Sequence, residues 1–200
     1  GFKIYHLAEA TGYASSWGGW PYYPCEVWVE NPVDPNWQYT IANNAVTITG
    51  YTGAIENPVI PDTIAGLPVT AIGYRAFWGR TDITGSLTLP STLETIGDEA
   101  FYQCSALTGD LVIPEGVTSI GYLAFYWCPG FDGTLTLPST LASIGDYAFY
   151  ECSGLDGTLT LPSTLETIGD HAFEYCSGLT GDLVIHDGVT SIGDYAFGSC

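Results

Sequence analysis

From Ile72 onward, apolar residues return to the same places every 24 positions. Five complete copies lie end to end at 72–95, 96–119, 120–143, 144–167 and 168–191, and a sixth starts at Ile192 and stops at Cys200. Their shared pattern is I-G-D-x-A-F-x-x-C-S-x-L-x-G-x-L-x-L-P-S-T-L-x-T. In the third copy the apolar positions are Ile120, Ala124, Phe125, Cys128, Phe131, Leu135, Leu137 and Leu141. A fixed period of this length predicts a solenoid, in which each copy is one turn and each position becomes a column running through the stack.

Within a copy, Leu135 and Leu137 alternate with Thr134 and Thr136, and Thr158-Leu159-Thr160-Leu161 repeats the alternation. That period of two predicts a short strand with one face buried. Pro90, Pro114, Pro138 and Pro162 follow it, with His186 in the last full copy, and proline ends a strand because it cannot donate to a ladder. Glycine columns (73, 97, 121, 145, 169, 193 and 85, 109, 133, 157, 181) predict turns. One copy cannot stand alone. Burying seven large apolar groups yields roughly 10–20 kcal/mol, and ordering the backbone of the same copy costs at least as much at about 1–2 kcal/mol per residue. Stability therefore arises between copies, stacked about 4.8 Å apart.

The segments L-V-I-P-E-G-V-T-S-I-G-Y-L-A-F-Y-W-C (111–128) and L-T-L-P-S-T-L-E-T-I-G-D-H-A-F-E-Y-C (159–176) resemble the BspA-like leucine-rich repeats. The copies here carry one residue more than that family's usual unit, in the L-x-G-x-L stretch such as Leu155 to Leu159. A lead-in similar to the family's is present as A-V-T-I-T-G-Y-T-G (45–53) and V-I-P-D-T-I-A-G-L-P-V-T-A-I-G-Y-R-A-F (59–77). The resemblance implies a β-rich leucine-rich-repeat solenoid of about five to six rungs, secreted or surface-displayed, that binds, adheres or scaffolds. It carries over no catalytic residue and no cofactor. The expected organisation is an irregular aromatic-rich N-terminal cap at 1–40, a lead-in at 41–71 and tandem repeats at 72–200.

Residues 1–40 differ in kind, with Trp17, Trp20, Trp28, Trp37, five tyrosines and turn-forming Gly and Pro residues. They read either as a cap on the first rung or as a small aromatic module with its own ligand. The composition, 46% apolar and 14% aromatic, supports a large core. No run of 18 apolar residues is present, so membrane insertion is not expected. The formal charge is -19, and Lys3, Arg75 and Arg80 are the only Lys and Arg residues. Such a chain repels phosphate backbones, so nucleic acid is not an expected partner. A protein or glycan at a cell surface, or copies of the chain itself, remain. With no methionine, the sequence is expected to be a processed or partial chain.

Candidate chemistry must be sought in the columns. Cys104, Cys128, Cys152, Cys176 and Cys200 share one, with Arg80 in the same place of the first copy. Parallel side chains are poorly set for disulfides, zinc-type pairs are missing, and buried free thiols are expected. Cys25 and Cys200 stand apart as candidate assembly contacts. Asp98, Asp146, Asp170 and Asp194 form another column, interrupted by Tyr122. They serve either as backbone N–H acceptors in the turn or as a calcium row. No metal site is expected, since the calcium-binding glycine-aspartate nonapeptide is missing.

A third column follows Ala-Phe: Trp78, Tyr102, Tyr126 and Tyr150, then Glu174 and Gly198. If the phenylalanines point inward, these rings point outward, with Trp127, Tyr147 and Tyr175 beside them. Trp78, Tyr102, Tyr126, Trp127 and Tyr150 are the candidate ligand-binding residues, an exposed aromatic row that grips sugars or protein. The alternative is a self-packed ladder that stiffens the wall. His6, His171 and His186 sit in unrelated columns with no nucleophile-base arrangement, so no enzyme is expected. Two roles follow: non-enzymatic adhesion, or head-to-tail assembly into an extracellular filament through the unfinished sixth copy.

Overall fold

A computed structural model describes residues 34–200, so Cys25 and most of the expected cap lie outside the described residues. The described part is a solenoid of about six turns, with no helix and a spacing of 24 residues. Each turn has three sides: a parallel sheet, a wall built entirely of turns, and a broken third side of strands two to four residues long.

The longest sheet has nine strands. It opens with Trp37–Ala42, which runs antiparallel to Ala45–Tyr51. The Asn43-Asn44 corner has φ 52° and 60°, the left-handed pair of a tight hairpin turn. Ala45–Tyr51 then pairs in parallel with Leu67–Ile72. Thr95–Ile96, Ser119–Ile120, Ser143–Ile144, Thr167–Ile168 and Ser191–Ile192 follow in parallel, each in register with the copy before. This register stacks Ile72, Ile96, Ile120, Ile144 and Ile168 as one buried row.

The alternation at Leu135 and Leu137 pointed to a different side, and there the strands are only fragments. Leu135–Thr136 pairs with Leu111–Val112, while in the next copy the pairing falls on Gly157–Thr158, ahead of the Leu159-Thr160-Leu161 alternation. Proline ends this side. The Pro138 carbonyl accepts Leu141 N–H at 3.2 Å and the Pro162 carbonyl accepts Leu165 N–H at 3.1 Å, so the chain bends into a turn there.

Phenylalanine forms the axis of the core. The Phe77, Phe101, Phe125, Phe149, Phe173 and Phe197 rings stack at centroid distances of 4.9, 5.0, 5.4, 5.1 and 5.4 Å, all within 9° of parallel. Each such pair contributes about 0.5–1.5 kcal/mol beyond the area it buries. Trp37 meets Phe77 edge-on at 6.3 Å and closes the near end of the stack. Among the described residues no buried side-chain N or O lacks a hydrogen-bond partner.

Candidate functional site

The turn wall runs from the glycine after the sheet to the cysteine column. In the fourth copy its amides alternate between two destinations. Tyr147, Phe149 and Glu151 donate to the carbonyls of Asp170, Ala172 and Glu174 in the next turn at 2.8–2.9 Å. Ala148, Tyr150 and Cys152 donate to the carbonyl three residues back, at 3.2–3.3 Å. Such a path needs two left-handed residues per turn. They fall on side-chain-bearing residues: Tyr147 and Glu151 have φ 56° and 53°, and Leu123, Trp127, His171 and Tyr175 repeat this. Each left-handed residue costs about 1–2 kcal/mol, held in place by the paired amides around it. The result is a wall that sends Ala and Phe inward and four positions per turn outward.

Glycine permits the close stacking, though the column at 169 is not a left-handed position. A Cβ on Gly169 would lie 2.4 Å from Asp146 N and 2.6 Å from Gly145 C, so that column exists because adjacent turns touch there. The left-handed glycines fall in the other column, at 85, 109, 157 and 181 (Gly109 has φ 79°), while Gly133 there is another close approach, where a Cβ would lie 2.9 Å from Asp110 N.

The aspartate column stitches turns together. Asp98 Oδ1 accepts Tyr122 N–H at 2.9 Å, Asp146 Oδ1 accepts Asp170 N–H at 2.9 Å, and Asp170 Oδ1 accepts Asp194 N–H at 2.7 Å. The expected N–H acceptance is thus made, to the next turn rather than within the residue's own. No group of three or more His, Cys, Asp and Glu side chains able to hold a metal occurs among the described residues.

The five cysteines from 104 to 200 are free, and the first four are buried. They are also donors. Each Sγ points back one turn to a phenylalanine carbonyl: Cys104 to Phe77, Cys128 to Phe101, Cys152 to Phe125, Cys176 to Phe149 and Cys200 to Phe173, at 2.9–3.1 Å. Burial pushes the Cys104 and Cys152 thiols up to about 12, and those of Cys128 and Cys176 also well above the ordinary thiol value. Arg80 explains its own exception. Behind it lies the hairpin, and its guanidinium donates back to the Tyr51 and Gly53 carbonyls while Asp82 holds its other edge. Arginine and cysteine do the same job at different reach.

The outer aromatic residues come together. Trp78, Tyr102, Tyr126 and Tyr150 stack at 5.7, 4.9 and 5.0 Å, within 6° of parallel. Both ends of this ladder are covered. The Arg75 guanidinium lies 5.6 Å from the Trp78 ring centroid, and Tyr175 meets Tyr150 edge-on at 5.5 Å. The ladder therefore offers ring edges to solvent, with its faces consumed by stacking. Burial, with the other tyrosines and Glu151 adding to it, pushes the Tyr126 phenol up; burial and the Glu174 and Glu151 carboxylates do so at Tyr150. Trp127 stands beside the ladder, 42% exposed, without a ring partner among the described residues.

A second stack escaped the sequence reading: Tyr147, His171 and Tyr195, at 4.5 and 5.4 Å, with His171 Nδ1 2.6 Å from Glu174 Oε2. Its signal was present as three rings spaced by 24 residues, but a histidine hid it. Tyr74 and Tyr122 lie in the adjacent column, exposed, and Tyr122 packs edge-on against Tyr147 at 6.4 Å. The two stacks are joined where Tyr147 meets Tyr126 at 6.5 Å and Tyr150 at 5.5 Å, and Cys200 lies on the neighbouring thiol column rather than in the wall.

Comparison with known proteins agrees with this geometry. Residues 70–200 match six copies of the BspA type leucine rich repeat region. The chain belongs to that family. Proteins of this family are typical of bacterial surfaces and are generally non-catalytic scaffolds. A leucine rich cell surface protein from Faecalibacterium prausnitzii is 30% identical, with a TM-score of 0.72 over 82% of this chain and 45% of that one. The Treponema pallidum leucine-rich-repeat protein is 28% identical, with a TM-score of 0.62 over 79% of this chain and 83% of that one. A leucine-rich-repeat protein from Bacteroides ovatus shares the fold at 24% identity and a TM-score of 0.57, over 82% of this chain and 55% of that one. The chain thus spans about half the length of two of these three. No curated protein matches it significantly.

Proposed function

We propose that this BspA-type repeat chain is a non-enzymatic binding module displayed at a bacterial cell surface, and that its aromatic turn wall is the binding face. The observation that carries the reading is the exposure of large rings on that one wall: Trp78, Tyr122, Trp127 and Tyr175 are each 42–48% exposed. Contiguous exposed apolar area of this kind marks interaction surfaces. The similar F. prausnitzii protein, described as a cell surface protein, supports the location.

The stacking favours a protein partner over a glycan. Sugars bind aromatic residues through ring faces, and in the ladder those faces are taken. The test is adhesion of the purified chain to arrayed extracellular matrix proteins and glycans. Changing Tyr102, Tyr126 and Tyr150 together to Ala should weaken protein binding at least tenfold and leave glycan signals at background. A variant that stays folded and keeps every interaction would show that the ladder is only structural.

A further inference from the structure

The chain's own Arg75 shows what the wall accepts. Its guanidinium carbon lies 4.9 Å from the Tyr74 ring centroid and 5.6 Å from that of Trp78. Glu99, one turn on, takes the same guanidinium with both oxygens, at 2.9 and 3.1 Å. A planar cation is thus held between ring faces and a carboxylate fork, a geometry that suits arginine and not lysine.

Two copies further on, the rings return without the cation. Tyr122 occupies the column of Tyr74, Leu123 stands where Arg75 stood and Tyr147 where Glu99 stood, while Tyr126, in the column of Trp78, is stacked on both faces by Tyr102 and Tyr150. Trp127 joins them, half-exposed and without a ring partner among the described residues. Carboxylates flank these rings in their own columns, Asp98 and Asp146 on either side of Tyr122 and Glu151 one turn on from Trp127, whose N–H donates to the neighbouring Tyr150 carbonyl at 2.8 Å. After Arg80 the sequence has no Lys or Arg, while 14 carboxylates lie between Asp98 and Asp194. Among the described residues, those after Arg80 supply rings and negative charge here and no Lys or Arg to complete the arrangement.

We infer that the aromatic wall around Tyr122 and Trp127 docks an extended, arginine-bearing segment of a partner protein, its guanidinium groups lying on these two exposed rings as Arg75 lies on Tyr74. This rests on the turn wall being the binding face and names its partner class. Charge complementarity selects the occupant: a chain of net charge -19 attracts a basic segment and repels an acidic one. Edge-exposed ladders and isolated ring faces together suit a peptide whose side chains reach in, one every second residue, along the turns.

The probe is a synthetic (Arg-Ser)4 peptide, about 27 Å long when extended, enough to cross about five turns at about 4.8 Å each. Isothermal titration against the full chain should show binding that weakens as salt rises. The citrulline analogue, equal in shape but uncharged, should bind at least tenfold more weakly, and (Lys-Ser)4 at least threefold more weakly. Trp127→Gln copies Gln103 from the same column and Tyr122→Asn removes one ring, so both keep the turn. Together they should cost about tenfold in affinity for (Arg-Ser)4, with an unchanged melting temperature. Glu166→Gln, on the sheet side, should change nothing.

Equal affinity for the arginine and lysine peptides, or affinity unmoved by the double variant, would mean attraction by net charge alone and would overturn the inference. No binding of (Arg-Ser)4, with matrix binding still lost in the tyrosine-ladder variant, would make the partner class wrong and the face right. No binding of (Arg-Ser)4, with matrix binding intact in that variant, would remove both.

Discussion

A buried thiol that donates a hydrogen bond explains why cysteine, rather than alanine or valine, fills its column. Valine has no donor for the phenylalanine carbonyl behind it, and alanine leaves a gap. The same burial has a pH consequence. The Cys104 and Cys152 pKa values rise from 9.0 to about 12 on folding. Above pH 9 the unfolded chain releases these protons and the folded chain does not, so the stabilisation is complete below about 9 and lost as pH rises toward 12. Each fully responding thiol removes about 1.4 kcal/mol per pH unit. Denaturant titrations between pH 8 and 11 should show this decline, and a Cys104→Ala, Cys152→Ala variant should show a flatter one. Iodoacetamide at neutral pH should spare Cys104, Cys128, Cys152 and Cys176 in the folded chain and label all four in urea, as counted by mass spectrometry. That these residues are buried was readable from their phase with Phe and Leu. That they donate was not, because the acceptor lies 27 residues earlier and only the stacking brings it near.

At the scale of one turn, the start of the turn wall and the broken third side impose different demands on glycine. Gly169→Ala would drive a methyl into the backbone of the turn before, at Asp146 and Gly145. The loss should be about 3 kcal/mol, as for an overpacked core. Gly109→Ala meets nothing within 4 Å and suffers only its left-handed φ, about 1–2 kcal/mol. Urea midpoints should place the two variants in that order with equal m-values. The sequence marked both columns as turns, and that much was legible. It could not separate close approach from a positive φ, since glycine answers both and the left-handed residues of the wall carry side chains. The principal sheet escaped for a related reason. From Thr95 onward its strands are two residues long, too short for an alternation to show, and their pairing is decided by the neighbouring turn.

For the whole molecule, stability resides in contacts between adjacent turns, so it is shared out along the stack. Asp98, Asp146 and Asp170 already accept backbone N–H groups across the turns. EDTA should therefore leave the melting temperature unchanged, and a fall of several degrees would show that the aspartate row holds a cation. Asp146→Ala should lower it instead, by removing one stitch worth about 1 kcal/mol. The aromatic wall belongs to this scale too. Its four-ring ladder was readable as a column, but whether those rings would show faces or edges depended on how closely the turns stack.

The sequence by itself determined the solenoid, its period, the inward rows of Ile, Phe and Cys and the outward row of Trp and Tyr. A residue repeated at one phase meets one environment, so a periodic pattern specifies a periodic core. Only the tertiary structure decided which side carries the long sheet, where the left-handed residues fall, and what the polar atoms bond to. Those outcomes depend on groups one turn apart, about 24 residues away along the chain and in contact across the stack. Arg80 and Tyr122, the two breaks in otherwise regular columns, show the difference. The sequence shows each as an irregularity; the fold makes Arg80 the tie to the opening hairpin and places Tyr122 on the exposed aromatic wall.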